Sequence, residues 1–114
     1  MKDTIILVTH EGMGYSKDLY NLPITLLGKY LDLLNAGDNL PNAICFYTDG
    51  VKMVIDGSSV LTQLKALEAK GVRLIICSTC LDAFGLTEQV QVGIIGGMPD
   101  IIEAQIKASK VITL

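Results

Sequence analysis

Tryptophan is absent from this sequence of 114 residues, and aromatic residues make up only 5% of it. The hydrophobic residues, 50% of the chain, are therefore mainly Ile, Leu, Val and Ala. Aliphatic cores of this kind are typical of parallel sheets that are buried on both faces. The length suits one domain with a sizeable core and is too short for two independent cores. We therefore expect residues 1–114 to form a single domain.

Concentrated positive charge and long apolar runs are also absent. Nine Lys and Arg residues are scattered along a chain whose net charge is -3, a pattern that disfavours nucleic acid as a partner. No apolar run approaches the roughly 18 to 20 residues of a membrane-spanning helix, and the first apolar segment lacks the pattern of a cleaved leader. Three cysteines are an odd number and a poor disulfide framework. We expect a cytoplasmic protein with no membrane partner.

Short apolar runs rich in β-branched residues predict strands. These runs lie at residues 4–8, 43–47, 72–76, 91–95 and 111–114.

Helical spacing of apolar residues predicts helices between these strands. The first should follow a Ser16 cap and break near Leu22, because Pro23 removes a backbone donor. Residues 51–55 fit either a short strand or a helical turn. The later helices are expected to begin at a capping hydroxyl or at a proline: Ser58 or Ser59 for the second, Ser78 or Thr79 for the short third, and Pro99 for the last.

The alternation of strands and helices predicts an α/β fold with three layers, in which helices cover both faces of a mostly parallel sheet of about five strands. In such a sheet the loops that follow the strands emerge at one carboxyl edge, where open α/β folds place their ligands. The candidate binding residues all lie in these loops: His10, Gly12, Gly14, Asp49, Gly50, Ser78, Thr79, Gly97 and Met98.

Two cysteines, Cys77 and Cys80, follow the third predicted strand directly and are the candidates for chemistry. A thiol at the start of a helix lies near unpaired N–H groups, which favour the nucleophilic thiolate and suit the acceptance of a sulfur atom. Alternatively, Cys77 is the last buried residue of its strand, because a free cysteine packs like a small hydrophobe. Cys80 is expected to point into the packing beneath the short helix, with a secondary role as a resolving thiol. Cys45 lies in mid-strand and is expected in the core.

Other chemistries for the Cys-x-x-Cys pair are less well supported. The spacing suggests thiol–disulfide exchange, but the flanking Trp and internal Pro typical of thioredoxin motifs are missing. A zinc site would need His10 and all three cysteines, which requires Cys45 to reach the edge of the sheet. His10 is a candidate proton carrier or thiolate partner. The loop glycines lack the rest of a dinucleotide fingerprint, so we expect neither a metal nor a cofactor.

Several motifs together point to a known family. The most specific is Cys77-Ser78-Thr79-Cys80-Leu81-Asp82 and its spacing from Phe46-Tyr47-Thr48-Asp49-Gly50-Val51-Lys52; Gly12-Met13-Gly14 and the terminal residues 110–114 agree with it. Over nearly its full length the chain resembles the DsrE/DsrF-like family, and most closely the C-terminal domain of YedF-type selenium-metabolism proteins.

This resemblance implies a flavodoxin-like, DsrEFH-like fold, assembly into trimers or hexamers, and a role in handling sulfane sulfur. Relatives that relay sulfur carry a persulfide on the cysteine of a Leu-x-Ile-Cys pattern, which Leu74-Ile75-Ile76-Cys77 matches. Cys80 belongs to the narrower YedF-like variant. YedF-type proteins usually carry a TusA-type sulfur-carrier domain that this sequence lacks, so the chain is expected to work alone or with a TusA-like partner. Gly96-Gly97-Met98 replaces the Asn-Met that relatives often have.

The leading interpretation is a sulfur carrier or sulfurtransferase-like protein that holds sulfane sulfur, or selenium, as a persulfide on Cys77. Two alternatives stay open. One is a non-catalytic oligomeric module that binds a small anion or a protein partner, with structural cysteines. The other is a dithiol redox protein that cycles between the Cys77 and Cys80 thiols and their disulfide.

Overall fold

Residues 2–114, the part of the chain that the computed structural model describes, form five strands, four α-helices and two 3-10 helices. The strands are β1 (Thr4–Val8), β2 (Ala43–Phe46), β3 (Arg73–Cys77), β4 (Ile94–Gly96) and β5 (Lys110–Thr113). The α-helices are α1 (Asn21–Ala36), α2 (Leu61–Ala69), α3 (Ser78–Phe84) and α4 (Met98–Lys107), and the 3-10 helices are Thr48–Val54 and Thr87–Gln89. None of the helices in this part of the chain has the length and apolar character needed to cross a bilayer.

All five strands belong to one parallel sheet in the order β4-β3-β2-β1-β5. The chain steps across the sheet from β1 to β4 in one direction, and α4 then leads back to place β5 beside β1. Right-handed crossovers put α1 and α2 on one face and α4 on the other. In agreement, α1 packs against α2, and α4 packs on β3 and β4. The predicted three-layer α/β fold is confirmed, with a sheet that is parallel throughout.

The core is aliphatic and centres on the middle strands. Every residue of β1 and β2 is buried, as expected of strands covered on both faces. From the helices, Leu27 and Leu31 of α1 and Leu64 of α2 are almost wholly removed from solvent. Full burial of such a side chain stabilises the fold by about 1.5–3 kcal/mol. The carboxyl ends of β2 and β3 are thus held by packing and not by loop contacts alone.

The start of α1 differs from the sequence prediction. The helix begins at Asn21 and runs unbroken to Ala36. Ser16 caps an isolated turn instead, in which its Oγ accepts a hydrogen bond from the Leu19 N–H at 3.1 Å. Pro23 lies in the first turn of the helix, where a missing N–H costs nothing because it would have no intrahelical partner.

The predicted caps of the later helices are also wrong in detail. Ser58 Oγ accepts a hydrogen bond from Val60 N–H at 3.3 Å, but Val60 itself is the residue that precedes α2. Cys77, and not Ser78 or Thr79, precedes α3, and no side chain caps that helix. Pro99 is the second residue of α4, after Met98.

The structure also settles the conformation of residues 51–55 and moves the start of β4. Residues 51–55, left open between strand and helix, lie mainly in the 3-10 helix Thr48–Val54. β4 begins at Ile94, three residues later than predicted. The cause is Gly93, whose φ of 87° leaves the extended region and whose N–H donates to a carboxylate oxygen of Glu68 in α2 at 2.9 Å.

Substitution of Gly50 tests how closely the 3-10 helix Thr48–Val54 packs against β1. A Cβ at this position would overlap the carbonyl oxygen of Val8 and lie 2.7 Å from its carbonyl carbon. We expect Gly50→Ala to lower the free energy of unfolding by about 3 kcal/mol, because backbone atoms cannot move aside as side chains do. The measurement is urea denaturation.

The matched control is Gly28→Ala in α1. There the added methyl group would meet only Val60 Cγ1, at 3.9 Å, and alanine favours the helix by about 1 kcal/mol over glycine. This variant should be at least as stable as the wild type. If Gly50→Ala were as stable as the wild type, the close approach of Gly50 to the Val8 carbonyl group would be contradicted.

Candidate active site

Two thiols meet at the carboxyl end of β3. Cys77 is the last residue of the strand, and α3 begins with the next residue, so that Cys80 lies one helical turn further along. This abrupt change from strand to helix folds the Cys80 side chain back over the strand end. The Cys80 thiol donates a hydrogen bond to Cys77 Sγ, and the two sulfur atoms are 3.2 Å apart.

The two thiols differ in exposure, and for Cys77 the structure agrees with the alternative of a last buried strand residue. Cys77 is buried, with 2% of its surface exposed, whereas Cys80 is only half-buried. Cys80 packs against the core, as expected, but it stays partly exposed. Cys77 is buried because it lies inside the strand, beside Gly96 of β4, where the sheet and its helices enclose it.

A backbone amide of a third segment completes the thiol pair. The Thr48 N–H donates a hydrogen bond to Cys80 Sγ at 3.0 Å. Thr48 lies two residues beyond the end of β2, and β2 pairs with β3 in parallel register. The same edge therefore collects the amide and both sulfur atoms.

Thr48 has an unusual backbone conformation. Its φ of 53° is the only positive value at a non-glycine residue within residues 2–114. Such a conformation costs about 1–3 kcal/mol and is found mostly where function or packing demands it. Here it directs the Thr48 N–H toward Cys80, while the Gly50 N–H closes the turn onto the Tyr47 carbonyl at 3.0 Å.

These surroundings change the acidity of Cys80. Burial raises the pKa of its thiol, the hydrogen bond to Cys77 raises it further, and the Thr48 N–H opposes both by lowering it. Cys80 therefore remains protonated at neutral pH and acts as the hydrogen-bond donor of the pair. The arrangement is a chain of donors that runs from the Thr48 amide through Cys80 to Cys77.

A charged cluster lies beside α3 at the same edge of the sheet. Lys52 forms ion pairs with Asp49 at 3.0 Å and Glu11 at 3.8 Å, and its Nζ lies 4.6 Å from the centre of the Phe84 ring. The Tyr20 hydroxyl donates a hydrogen bond to Glu11. Contact with Asp49 raises the pKa of Lys52, so that it stays charged. The carboxylate of Asp49, one of the predicted binding residues, is therefore already engaged in an ion pair with Lys52.

The predicted residue His10 lies in a separate cavity. That cavity, of about 210 Å³, is lined by His10, Gly14 and the charged cluster but not by the cysteines. The His10 ring is 6.1 Å from that of Tyr15. The thiols and the histidine share an edge of the sheet without forming one site, so the role of His10 as a thiolate partner has no support in this geometry.

Two of the predicted loop glycines serve packing. Gly12 has a φ of 127°, and a Cβ there would lie 2.6 Å from the Ile24 nitrogen. Gly50 lies against Val8 in the same way. The space that a side chain would occupy is thus filled by the protein's own backbone. Gly14, with a φ of 72° and nothing within 4 Å of its Cβ position, is open.

The remaining predicted binding residues surround α3 and α4. Ser78 is half-buried and Thr79 exposed, both in the first turn of α3 between the two cysteines. Gly97 precedes α4 and donates its N–H to Asp100 Oδ2 at 2.8 Å, which makes it a helix cap. Met98 is the first residue of α4 and is 51% exposed.

Cys45 is separated from the other thiols. It lies within β2 with none of its surface exposed, as predicted for a core residue. Burial raises the pKa of its thiol from 9.0 to about 11, and the positive charge of Arg73 offsets only part of this effect. Within residues 2–114 no three His, Cys, Asp or Glu side chains are grouped in a way that would hold a metal ion.

Sequence reasoning missed the Thr48 amide as a member of the site. A backbone donor leaves no signature in residue type, and a β-branched residue gives no hint of a positive φ. The signal available was positional, since Thr48 follows β2 as Cys77 ends β3. The Glu11 and Tyr20 contacts with the charged cluster were missed for a different reason, because neither residue belongs to a recognisable motif.

The sequence profile of the DsrE/DsrF-like family matches residues 15–114. No curated protein matches the chain significantly.

Several solved structures share the fold. The crystal structure of the YchN protein from E. coli is 21% identical, covers 97% of this chain and 98% of its own, and superposes with a TM-score of 0.63. A protein of unknown function from Methanobacterium thermoautotrophicum is 18% identical, with 97% of both chains covered and a TM-score of 0.67. One from Bacteroides thetaiotaomicron is 18% identical, with 98% and 95% covered and a TM-score of 0.61. Similarity at these identities concerns the fold alone.

The raised pKa of Cys45 predicts a dependence of stability on pH. The folded protein keeps this thiol protonated up to about pH 11, whereas the unfolded chain ionises it near 9.0. The stabilising contribution is thus complete below pH 9 and is lost as the pH rises to 11, by roughly 2–3 kcal/mol. The measurement is the free energy of unfolding of the wild type and Cys45→Ala across this range.

At neutral pH the wild type should be the more stable of the two, because Cys45→Ala leaves a small cavity. That difference should narrow between pH 9 and 11, since only the wild type carries the buried thiol. A difference that stays constant with pH would contradict the assignment.

Proposed function

Since the chain belongs to the DsrE/DsrF-like family, we propose that it is a sulfur carrier that holds sulfane sulfur as a persulfide on Cys77. The observation that carries this proposal is the pair of thiols 3.2 Å apart at the carboxyl edge of the sheet. The family is associated with sulfur relay, and Cys77 is the cysteine that matches the sulfur-carrying position of relatives. A sulfurtransferase-like activity follows if the sulfur is passed on.

The chemistry requires no cofactor. In the overall reaction the outer sulfur of a donor persulfide R–S–SH is transferred to Cys77 in exchange for its thiol proton: the S–S bond of the donor breaks, the R–S sulfur keeps the electron pair and takes the proton, and R–SH leaves. Cys77 then carries –S–SH. An acceptor thiol takes the outer sulfur in the same way and returns Cys77 to its thiol. Selenium in the outer position would follow the same steps.

Cys80 offers a second route of discharge. Its thiolate attacks the inner sulfur of the Cys77 persulfide, so that a Cys77–Cys80 disulfide forms and HS⁻ leaves. An external dithiol must then reduce the disulfide before another cycle. The 3.2 Å separation also favours the alternative of a dithiol redox protein, in which an external disulfide is reduced and the Cys77–Cys80 disulfide forms by thiol exchange without any sulfur being carried.

Partners and compartment follow from the same proposal. A donor or acceptor protein, such as a TusA-like carrier, would deliver or receive sulfur at the exposed side of Cys80. A reducing cytoplasm suits a protein with three free cysteines.

Exposed apolar side chains support assembly into a homo-oligomer. Leu22, Leu26 and Leu33 lie along one side of α1 and are 43%, 40% and 74% exposed, a surface that a second copy would cover. The expected mass in solution by light scattering is three or six times that of the 12.3 kDa chain. A monomer at micromolar concentration would contradict this part of the proposal.

Intact-mass spectrometry tests the persulfide directly. Incubation of the reduced protein with cysteine persulfide should add one sulfur atom, and fragmentation of the tryptic peptide spanning residues 74–107 should place it on Cys77. The control variant Cys45→Ala should gain sulfur to the same extent, because Cys45 is buried in the core. Added sulfur should disappear when a small acceptor thiol is supplied.

Two results would contradict the proposal. One is a wild type that gains no sulfur. The other is a wild type that loses two hydrogens without carrying added sulfur on Cys77 at any time point, which would favour the dithiol redox function.

A further inference from the structure

We propose that Cys80 is the thiol that meets the sulfur donor, and that the sulfur reaches the buried Cys77 only through it. This inference rests on the proposed function, since it concerns the path by which Cys77 acquires its persulfide. It is carried by the unequal burial of two sulfur atoms in contact and by the amide that holds one of them.

Burial separates the two thiols by access. Thiol exchange requires the attacking sulfur to approach the donor's S–S bond directly. Cys77 has 2% of its surface exposed, so even a donor as small as cysteine persulfide is kept from bringing its sulfur to this atom. Cys80 is half-buried and lies in contact with Cys77, 3.2 Å away. It is therefore the sulfur atom of the pair that a donor can touch.

The Thr48 amide holds Cys80 in the position that this role needs. Its N–H points at Cys80 Sγ at 3.0 Å, and a neutral N–H donor favours negative charge on the sulfur that it contacts. The amide is fixed there by the positive φ of Thr48, so it needs no rearrangement when charge develops. The Thr48 N–H can therefore stabilise negative charge on Cys80 Sγ both when this sulfur attacks the donor and when it later leaves as the sulfur is passed on.

The first step loads Cys80. The Cys80 sulfur attacks the outer sulfur of R–S–SH as its thiol proton is lost, and the Thr48 N–H stabilises the negative charge that develops on it. The donor S–S bond breaks, the R–S sulfur keeps the electron pair and takes up the proton, and R–SH leaves. Cys80 now carries –S–SH, Cys77 is still a thiol, and no net oxidation has occurred.

The second step passes the sulfur inward. The Cys77 sulfur attacks the outer sulfur of the Cys80 persulfide, the S–S bond of that persulfide breaks, and the thiol proton of Cys77 passes to Cys80 Sγ. The products are Cys77–S–SH and the Cys80 thiol. Two S–S bonds end to end span about 4 Å, more than the 3.2 Å between the sulfur atoms. Cys80 must therefore turn about its Cα–Cβ bond, which its partial exposure permits.

The test compares the rates at which single-cysteine variants gain sulfur. Wild type, Cys80→Ser and Cys77→Ser are mixed with cysteine persulfide and quenched with iodoacetamide at successive times. Mass spectrometry of the intact protein and its tryptic peptides then measures and locates the added sulfur. In the wild type, Cys80 should carry sulfur first and Cys77 later. Cys77→Ser should load Cys80 at the wild-type rate and retain it. Cys80→Ser should load Cys77 at least tenfold more slowly.

Loading of Cys77 in Cys80→Ser at the wild-type rate would overturn the inference while leaving the proposed function intact. So would a folded Cys77→Ser that gains no sulfur on Cys80. A wild type that gains no sulfur would overturn both. Because a serine at buried position 77 disturbs packing, Cys77→Ala is measured beside it, and circular dichroism confirms that each variant is folded.

Discussion

The parallel pairing of β2 with β3 is the constraint on which the candidate site depends. Their register sets Phe46 beside Ile76, so the chain leaves both strands at one edge and at nearly the same level. Thr48 and Cys80 are 32 residues apart in sequence and meet only because of this pairing. A slip of one residue would turn the side chain of Cys77 to the opposite face of the sheet.

One residue type has three different environments in this fold. Cys45, enclosed in mid-strand, has a raised pKa and no access to solvent. Cys77 is equally buried but has a sulfur neighbour. Cys80 has that neighbour, an amide donor and partial exposure. Position along the strand and the following turn, and not the residue itself, therefore decides which thiol is inert, which is sheltered and which is accessible.

The order of the strands and helices along the chain was predictable from sequence because it depends on local patterns. So was the edge of the sheet that holds the two cysteines. Buried aliphatic runs identified β1, β2 and β3, and the alternation with helices led to the parallel sheet. Cap residues were predicted less well. Hydroxyl residues near helix starts, such as Ser16, are common in turns as well as at caps, and local sequence does not separate the two uses.

Within the site, sequence identified the two thiols but not their relation. The burial of Cys77 depends on its neighbour β4 and on helices that pack from both faces, all of which are tertiary effects. The amide of Thr48 was beyond reach because a backbone donor is independent of side-chain type. The loop glycines were ambiguous for a similar reason, since Gly12 and Gly50 permit close approach whether the approaching group is a ligand or, as here, the protein's own backbone.

A crystal structure of the protein after exposure to a persulfide donor would show which atom carries the transferred sulfur. We expect electron density for one additional sulfur atom bonded to Cys77 Sγ, with the Thr48 N–H still within hydrogen-bonding distance of Cys80. Density for unmodified thiols would contradict the assignment of this edge to sulfur transfer.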